Sequence, residues 1–387
     1  MNGLSQFLAL GFLLGAQDDG PGSGFDPRRM GSLREELQKC VDRSEAAGIV
    51  TLAGRRGRDV ASAATVGWQD LANKVPMKKD TIFRIASMTK PVTAIAILML
   101  EDEGKLSIDD PVAKFVSAFG KIETPKPITL KHLLTHTSGI PGGPPKEMSD
   151  LYAKRNRTLA EAAPAFARAP QFEPGTKWAY CNTGIDVLGR VVEVASGKSF
   201  EAFLEERLFK PLDMKDTFFY PTEERLSRTA VLYKKDGDKL AKSENFLGDS
   251  VDGKFPLPAG GLYSTAGDLA RLYAMMLDRG TRDGRRYLSE ASVEKMTRNH
   301  TGDLKAGFTP GIVMGLGWQV VDTPTGVTEM LSPGSYGHGG AFGTQGWIDP
   351  KKGMYFILLV QRQGFGNGDA SNLRRVLQSV AVSAVTD

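Results

Sequence analysis

The segment Pro91 to Gly104 (PVTAIAILMLEDEG) is apolar on nearly every side until Glu101. A helix without a polar stripe cannot lie on a surface, so the rest of the chain has to wrap it inside a domain, and Gly104 supplies its stop. Immediately before this helix stands Ser87-Met88-Thr89-Lys90. Residues three apart on a helix share a face, with Cβ atoms about 5–6 Å from one another, so the Lys90 amine can reach the Ser87 hydroxyl. A serine hydroxyl attacks poorly unless a base removes its proton. A lysine can serve as that base where burial disfavours its ammonium form, and the apolar helix provides such burial. The first turn of the helix also directs unpaired backbone N–H groups outward, and that of Ser87 can hydrogen-bond an oxyanion.

The chain has 387 residues, of which 41% are hydrophobic and 24% charged, which is enough for one large core or two lobes. Its net charge of +4 is small, and no dense Lys/Arg stripe with interleaved aromatics is present. A nucleic-acid partner is therefore not expected, and a small neutral or mildly anionic substrate is. The only cysteines, Cys40 and Cys181, are too few for a disulfide framework and match no metal spacing, so both read as structural. Phe7 to Ala16 is a ten-residue apolar run, too short to cross a bilayer as a helix. It resembles a signal-peptide core, although no Lys or Arg precedes it and the large Leu14 stands where a small residue is preferred. Export to the periplasm or beyond is the expectation, with a cytoplasmic location the alternative and no stable membrane insertion. Residues 1–27 are set apart as a leader.

Beyond the leader, Gly31 to Glu45 has helical spacing with Leu33, Leu37 and Val41 on one face, while Gly48 to Ala53 and Val60 to Gly67 read as strands. Residues 105–255 show helical patterns broken by Pro- and Gly-rich turns such as IPGGPP at 140–145. Gly346 to Ile348 and Met354 to Gln361 read as core strands, and Ala370 to Val385 as a closing amphipathic helix. Strands at both ends imply an α/β lobe built from about 28–104 and 256–387, with an all-helical lobe inserted at 105–255. A site is expected in the cleft between them.

Two further clusters carry chemistry. Tyr180-Cys181-Asn182 follows the turn Pro174-Gly175-Thr176, which would present the tyrosine at a loop tip facing the cleft. Its phenol can pass a proton beside a cation, and the Asn182 amide can bind a carbonyl. Tyr336-Gly337-His338-Gly339-Gly340-Ala341 precedes the last strands. Its glycines let a ligand approach the backbone, and the Ala341 N–H can complete an oxyanion hole.

Ser87-x-x-Lys90, Tyr180-x-Asn182 and His338-Gly339-Gly340, in this order, resemble the three motifs of the serine β-lactamase and penicillin-binding protein superfamily. The nearest branch is similar to class C β-lactamases, DD-peptidases and their esterase relatives. Phe83-Arg84-Ile85-Ala86, His132 to Gly139 (HLLTHTSG), Pro258 to Thr265 (PAGGLYST) and Gly315 to Trp318 (GLGW) support the resemblance, which spans about 28–387. It implies an α+β fold of the β-lactamase/transpeptidase type, with an antiparallel sheet flanked by helices, and an acyl-enzyme on Ser87 with Lys90 and Tyr180 handling protons. No metal or organic cofactor is implied. Asn182, His338, Gly339, Gly340, Ala341 and Trp318 are the candidate substrate contacts, and Tyr263 is a further candidate for the pocket wall. Where β-lactamases commonly carry Lys-Thr-Gly, this chain has His338-Gly339-Gly340. That removes an ammonium and a hydroxyl suited to a β-lactam carboxylate. A neutral ester would not miss them, so a carboxylesterase acting on small esters is expected, with β-lactamase or DD-peptidase activity the alternative. His338 is expected to be able to carry charge near neutral pH.

Other patterns compete less well. A second Ser-x-x-Lys, Ser292 to Lys295, sits in a charged segment that reads as a solvated helix face. His132 and His136 have zinc-ligand spacing, but the position of the required glutamate is Leu133. Gly197-Lys198-Ser199 lacks the first glycine of a phosphate-binding loop, Val192 standing there. His300-Thr301-Gly302 has no strand pattern after it. A non-catalytic binding protein on the same fold is the alternative of a different class.

Overall fold

The computed structural model describes residues 23–58, 61–365 and 371–386. The apolar run Phe7 to Ala16 lies outside them. Eight strands form one antiparallel sheet: β1 (Gly48–Arg55), β2 (Ser62–Asp70), β3 (Val75–Pro76), β4 (Ile312–Met314), β5 (Gln319–Val321), β6 (Tyr336–Gly339), β7 (Gln345–Asp349) and β8 (Met354–Val360), in the order β4-β5-β6-β7-β8-β1-β2-β3. The two ends of the chain meet at its centre, where β1 pairs with β8 from Ile49↔Val360 to Arg55↔Met354.

Both central strands are covered on each face, which is why they read as continuous apolar runs rather than alternating ones. Ile49, Ala53, Phe356 and Leu358 face one layer, together with Leu33 and Leu37 of α1 (Pro27–Asp42). Their neighbours Val50, Leu52, Ile357 and Leu359 face the other layer, where α2 (Thr89–Asp102) lies, and α2 is buried from Thr89 through Leu100. The helix without a polar stripe is thus enclosed as its sequence demands. The remaining long helices are α3 (Asn182–Ser196), α4 (Ala266–Leu277) and α5 (Asn372–Ser383). Of these, α5 packs beside α1 and α4 covers the opposite face of the sheet.

Two details correct the sequence reading. Phe25, assigned to the leader, is buried and bridges to Val385, and Asp26 caps α1 by accepting from the N–H groups of Arg28 and Arg29. The packed chain therefore includes residues 23–27. The inserted segment is also not purely helical, since Tyr233–Asp236 and Lys239–Lys242 form a hairpin that joins Arg362–Gln363 in a small sheet. The turn at Gly237 has φ +58°, a conformation glycine adopts at no steric cost. The short strands YKKD and KLAK are half lysine and bury only Tyr233, so no apolar alternation marks them in the sequence. Among the described residues no helix is long and apolar enough to cross a membrane.

Candidate active site

Ser87 is delivered to the cleft by a two-stranded clamp, Phe83–Arg84 pairing with Tyr263–Ser264. Arg84 fixes the clamp from the side, donating from Nε and Nη2 to the two carboxylate oxygens of Asp249, both at 2.7 Å, and from Nη1 to Ala230 O at 2.9 Å. A planar guanidinium meeting a carboxylate through two parallel bonds is the directional form of an ion pair. Ala86 then adopts φ +45°, unusual for a residue with a Cβ. The chain passes through the short turn Ala86–Met88 into α2.

Within this frame Lys90, with no exposed surface, lies 3.0 Å from Ser87 Oγ and donates to Ala259 O at 2.6 Å. Burial pushes its amine well below the ordinary lysine value, against the opposing pull of the buried Asp186 carboxylate. A lysine so placed can exist as the free base near neutrality, the form able to take a proton from a hydroxyl. Tyr180 stands on the other side, its ring centroid 4.7 Å from Lys90 Nζ.

Two histidines flank that tyrosine. His338 is fully buried, and burial with the nearby Lys90 pushes it down to about 3. The expectation that it carries charge near neutral pH is therefore corrected, because no carboxylate offsets its desolvation. Its Nδ1 lies 2.7 Å from Gly339 O. A carbonyl only accepts, so Nδ1 holds the proton and Nε2 is left as an acceptor. His136 has the opposite tautomer, because its Nδ1 accepts from the Cys181 N–H at 3.1 Å. Its ring packs 4.6 Å from that of Tyr180, and burial holds it well below the ordinary histidine value. The helical pairing of His132 with His136 does not form: the short helix ends at Leu134, and His136 turns away at φ +59°.

The cavity beside Ser87 has a volume of about 380 Å³. Ser87, Tyr180, Asn182 and Ala341 line it, and among the described residues no charged side chain does. Gly339 at the end of β6 and Gly340 after it bring this strand against Ile85 beside the clamp. A Cβ on Gly340 would come 2.1 Å from Thr344 Oγ1 and 2.5 Å from Ile85 O, so only glycine fits there. The Gly340 N–H is committed to Thr344 O at 2.8 Å, whereas Ala341, one residue on, borders the cavity. Trp318 is not a pocket residue. It is fully buried between Tyr273 and Tyr336, with ring centroids at 6.2 and 5.1 Å, as its apolar bulk in the GLGW turn favours. Tyr263, also expected in the wall, is buried against Phe218 with its hydroxyl on Asp249.

Residues that sequence reasoning missed complete the site. Tyr152 and Phe308 line the cavity, and Asp186 lies behind it on α3. A single acid inside the apolar stretch Ile185 to Leu188, four residues after Asn182 and hence on its face, was the available signal. His300 lies elsewhere, its Nε2 2.7 Å from Lys295 O. Among the described residues no cluster of His, Cys, Asp or Glu could hold a metal ion. Cys40 and Cys181 are buried and unpaired with each other, and Cys181 Sγ caps α3 by accepting from the Gly184 N–H at 3.3 Å.

A buried lysine within reach of a serine, in a cleft of this fold, defines a serine hydrolase. The beta-lactamase family model matches residues 33–381, and the chain belongs to that family. It is 30% identical over 363 residues to the esterase EstB of Burkholderia gladioli, covering 85% of this chain and 90% of that one. It is 33% identical over 278 residues to penicillin-binding protein 4 of Amycolatopsis lactamdurans, covering 70% and 69%. The solved structure of EstCE1, described as a hydrolase with promiscuous acyltransferase activity, shares the fold with a TM-score of 0.78 at 23% identity over 92% of this chain and 98% of that one.

Proposed function

We propose that the protein is a carboxylesterase for small, neutral, apolar esters, working through an acyl-enzyme on Ser87. One observation carries this reading: the cavity beside Ser87 is lined by side chains such as Phe246, Leu247, Leu257 and Phe308, with no cation among the described residues that line it. A β-lactam or a peptide C-terminus brings a carboxylate, whose desolvation in such a wall would go uncompensated. An uncharged ester brings no such cost. The neutral state of His338 removes the remaining candidate for an anion anchor. The likeness to EstB supports the same choice.

In the first step Ser87 Oγ attacks the ester carbonyl carbon while its proton passes to the free amine of Lys90. The oxygen that becomes negative is held by the backbone N–H groups of Ser87 and Ala341. As the tetrahedral species collapses, the C–O bond to the alcohol breaks. The leaving oxygen receives the proton by way of Lys90 and the Tyr180 phenol, and the acyl group stays on Ser87. Water then attacks the acyl carbonyl, giving up a proton to the same pair, and the carboxylic acid leaves with Ser87 restored. Asn182 orients the acyl carbonyl side through its amide.

Turnover of p-nitrophenyl butyrate beside nitrocefin, for wild type and Ser87→Ala, tests this. Ester turnover abolished by the substitution, with little nitrocefin cleavage, is the expected result. Preferential nitrocefin cleavage would move the protein to the β-lactamase side, and ester turnover that survives Ser87→Ala would mean another nucleophile.

A further inference from the structure

Asp186 is wholly buried on α3, and its two carboxylate oxygens are both engaged. Oδ1 accepts from the Ala259 N–H at 2.9 Å and Oδ2 from the Tyr152 hydroxyl at 2.6 Å. Ala259 in turn presents its carbonyl to Lys90 Nζ at 2.6 Å, and Nζ stands 3.0 Å from Ser87 Oγ. A continuous path thus runs from Asp186 through the backbone of Ala259 to the amine and the serine. The same segment is gripped from two more directions. Thr93 Oγ1 of α2 donates to Pro258 O at 2.8 Å, and α3 approaches so closely that a Cβ on Gly189 would come 2.3 Å from Pro258 Cγ.

We propose that Asp186 is a positioning residue that acts on the chemistry of Ser87 through Lys90. The inference rests on the acyl-transfer reading above. A buried carboxylate is costly to keep in a core, and a purely structural acceptor for one backbone N–H could be an amide. What an amide lacks is the charge, and the charge has one clear recipient.

Lys90 faces titratable groups from several elements. From the 130–136 segment comes His136 and from β6 comes His338, both held neutral by burial. From the start of α3 comes the Cys181 thiol, which burial pushes up, and Tyr180 packs its ring against the amine. Asp186 itself faces the Tyr152 phenol, kept protonated by burial, and more distantly Arg155. Burial also pushes the Asp186 carboxyl up to about 7, so it and Lys90 titrate together. Once ionised, Asp186 is the anion that Lys90 senses, and it favours the ammonium form while burial opposes it.

The test compares wild type, Asp186→Asn and Asp186→Ala by the pH profile of kcat/KM on p-nitrophenyl butyrate and by the rate at which a fluorophosphonate labels Ser87. Asn keeps an acceptor for the Ala259 N–H and loses the charge, so its acid limb should move to lower pH by about one unit, with kcat at the optimum within about tenfold of wild type. Ala loses both, and kcat should fall by about a further tenfold while KM changes by less than about threefold. An acid limb that stays in place in Asp186→Asn overturns the inference and leaves Asp186 a structural group. Should Asp186→Ala fail to fold by circular dichroism, the Asn profile alone decides. Ser87→Ala separates the two levels. Labelling or turnover that survives it sinks the acyl-transfer reading, whereas a dead Ser87→Ala beside an unmoved Asp186→Asn profile sinks only the role given to Asp186.

Discussion

Two Ser-x-x-Lys pairs sit at opposite ends of the same helix, α2. At its start, Lys90 is fully buried and divides its donors between Ser87 Oγ and Ala259 O. At its end, Ser292 donates to Asp102 Oδ1 at 2.7 Å, and Lys295 reaches Glu101 Oε2 at 2.9 Å with about a third of its side chain in solvent. The second serine is tied to a carboxylate and the second lysine is an ion pair, so neither is available for attack or for proton transfer. The four-residue pattern is common to both; the chemistry comes from what surrounds the amine. A neutral carbonyl partner in a dry interior lowers an amine's proton affinity relative to a carboxylate partner near water.

The largest test of this contrast is deletion of the hydroxyls. Ser87→Ala should lower kcat on p-nitrophenyl butyrate by at least about 10³-fold, and Ser292→Ala should leave it within about twofold. A strong loss in Ser292→Ala without a change in thermal stability would break the comparison. Next are the lysines. Lys90→Ala should cost about 10²–10⁴-fold in kcat, the usual worth of a positioned base. Lys295→Ala should leave kcat unchanged and lower stability by no more than about 1 kcal/mol in chemical denaturation, because its ion pair is partly exposed.

The difference in setting should also appear in pH dependence. The Lys90 amine is pushed down to about 7, and the base is its deprotonated form, so kcat/KM should hold on the alkaline side and fall about tenfold per unit as pH drops below that value. His338, pushed down to about 3, stays neutral across this range and adds no second limb. A profile flat from pH 5 to 8 would contradict a lysine base.

Much of this site was legible because it lies in short segments whose local chemistry is self-contained. The helix at 91–104 had to be buried, and Ser87 and Lys90 lie at its head, so their meeting follows from helical spacing alone. Tyr180, Asn182 and Ala341 come from other parts of the chain, and their convergence on one cavity was implied by the resemblance, not by spacing. What stayed hidden depends on contacts distant in sequence. Nothing local tells that Ala259 O holds Lys90 across 169 positions, or that Asp186 grips Ala259. Trp318 shows the converse error. It was expected among the substrate contacts, yet it is buried, and the neighbouring Gly317 is small because Ala94 of α2 lies where its Cβ would be, at 2.6 Å. Close packing and ligand access leave the same glycine signal in a sequence.

The smallest expected effect sharpens the comparison from the substrate side. Phe308 and Phe246 both line the cavity while keeping 42% and 48% of their surface exposed. Large exposed rings at a cavity rim are surface that a bound apolar group can cover. Phe308 packs edge-on to Tyr180 with centroids 5.0 Å apart, whereas Phe246 touches Phe342 instead. Loss of one aromatic contact is worth about 0.5–1.5 kcal/mol, or roughly two- to twelvefold. Phe246→Ala should therefore raise KM for naphthyl esters by that factor, leaving KM for p-nitrophenyl acetate and kcat for both nearly unchanged. Phe308→Ala should raise KM similarly and also lower kcat, because it removes a wall from the Tyr180 ring. If Phe308→Ala altered KM alone, the Tyr180 position would owe nothing to the rim, and its orientation would rest on His136 and the backbone of Cys181. If neither variant changed KM, bound esters would lie deeper, against Leu257 and Ala259, next to the residue that holds Lys90.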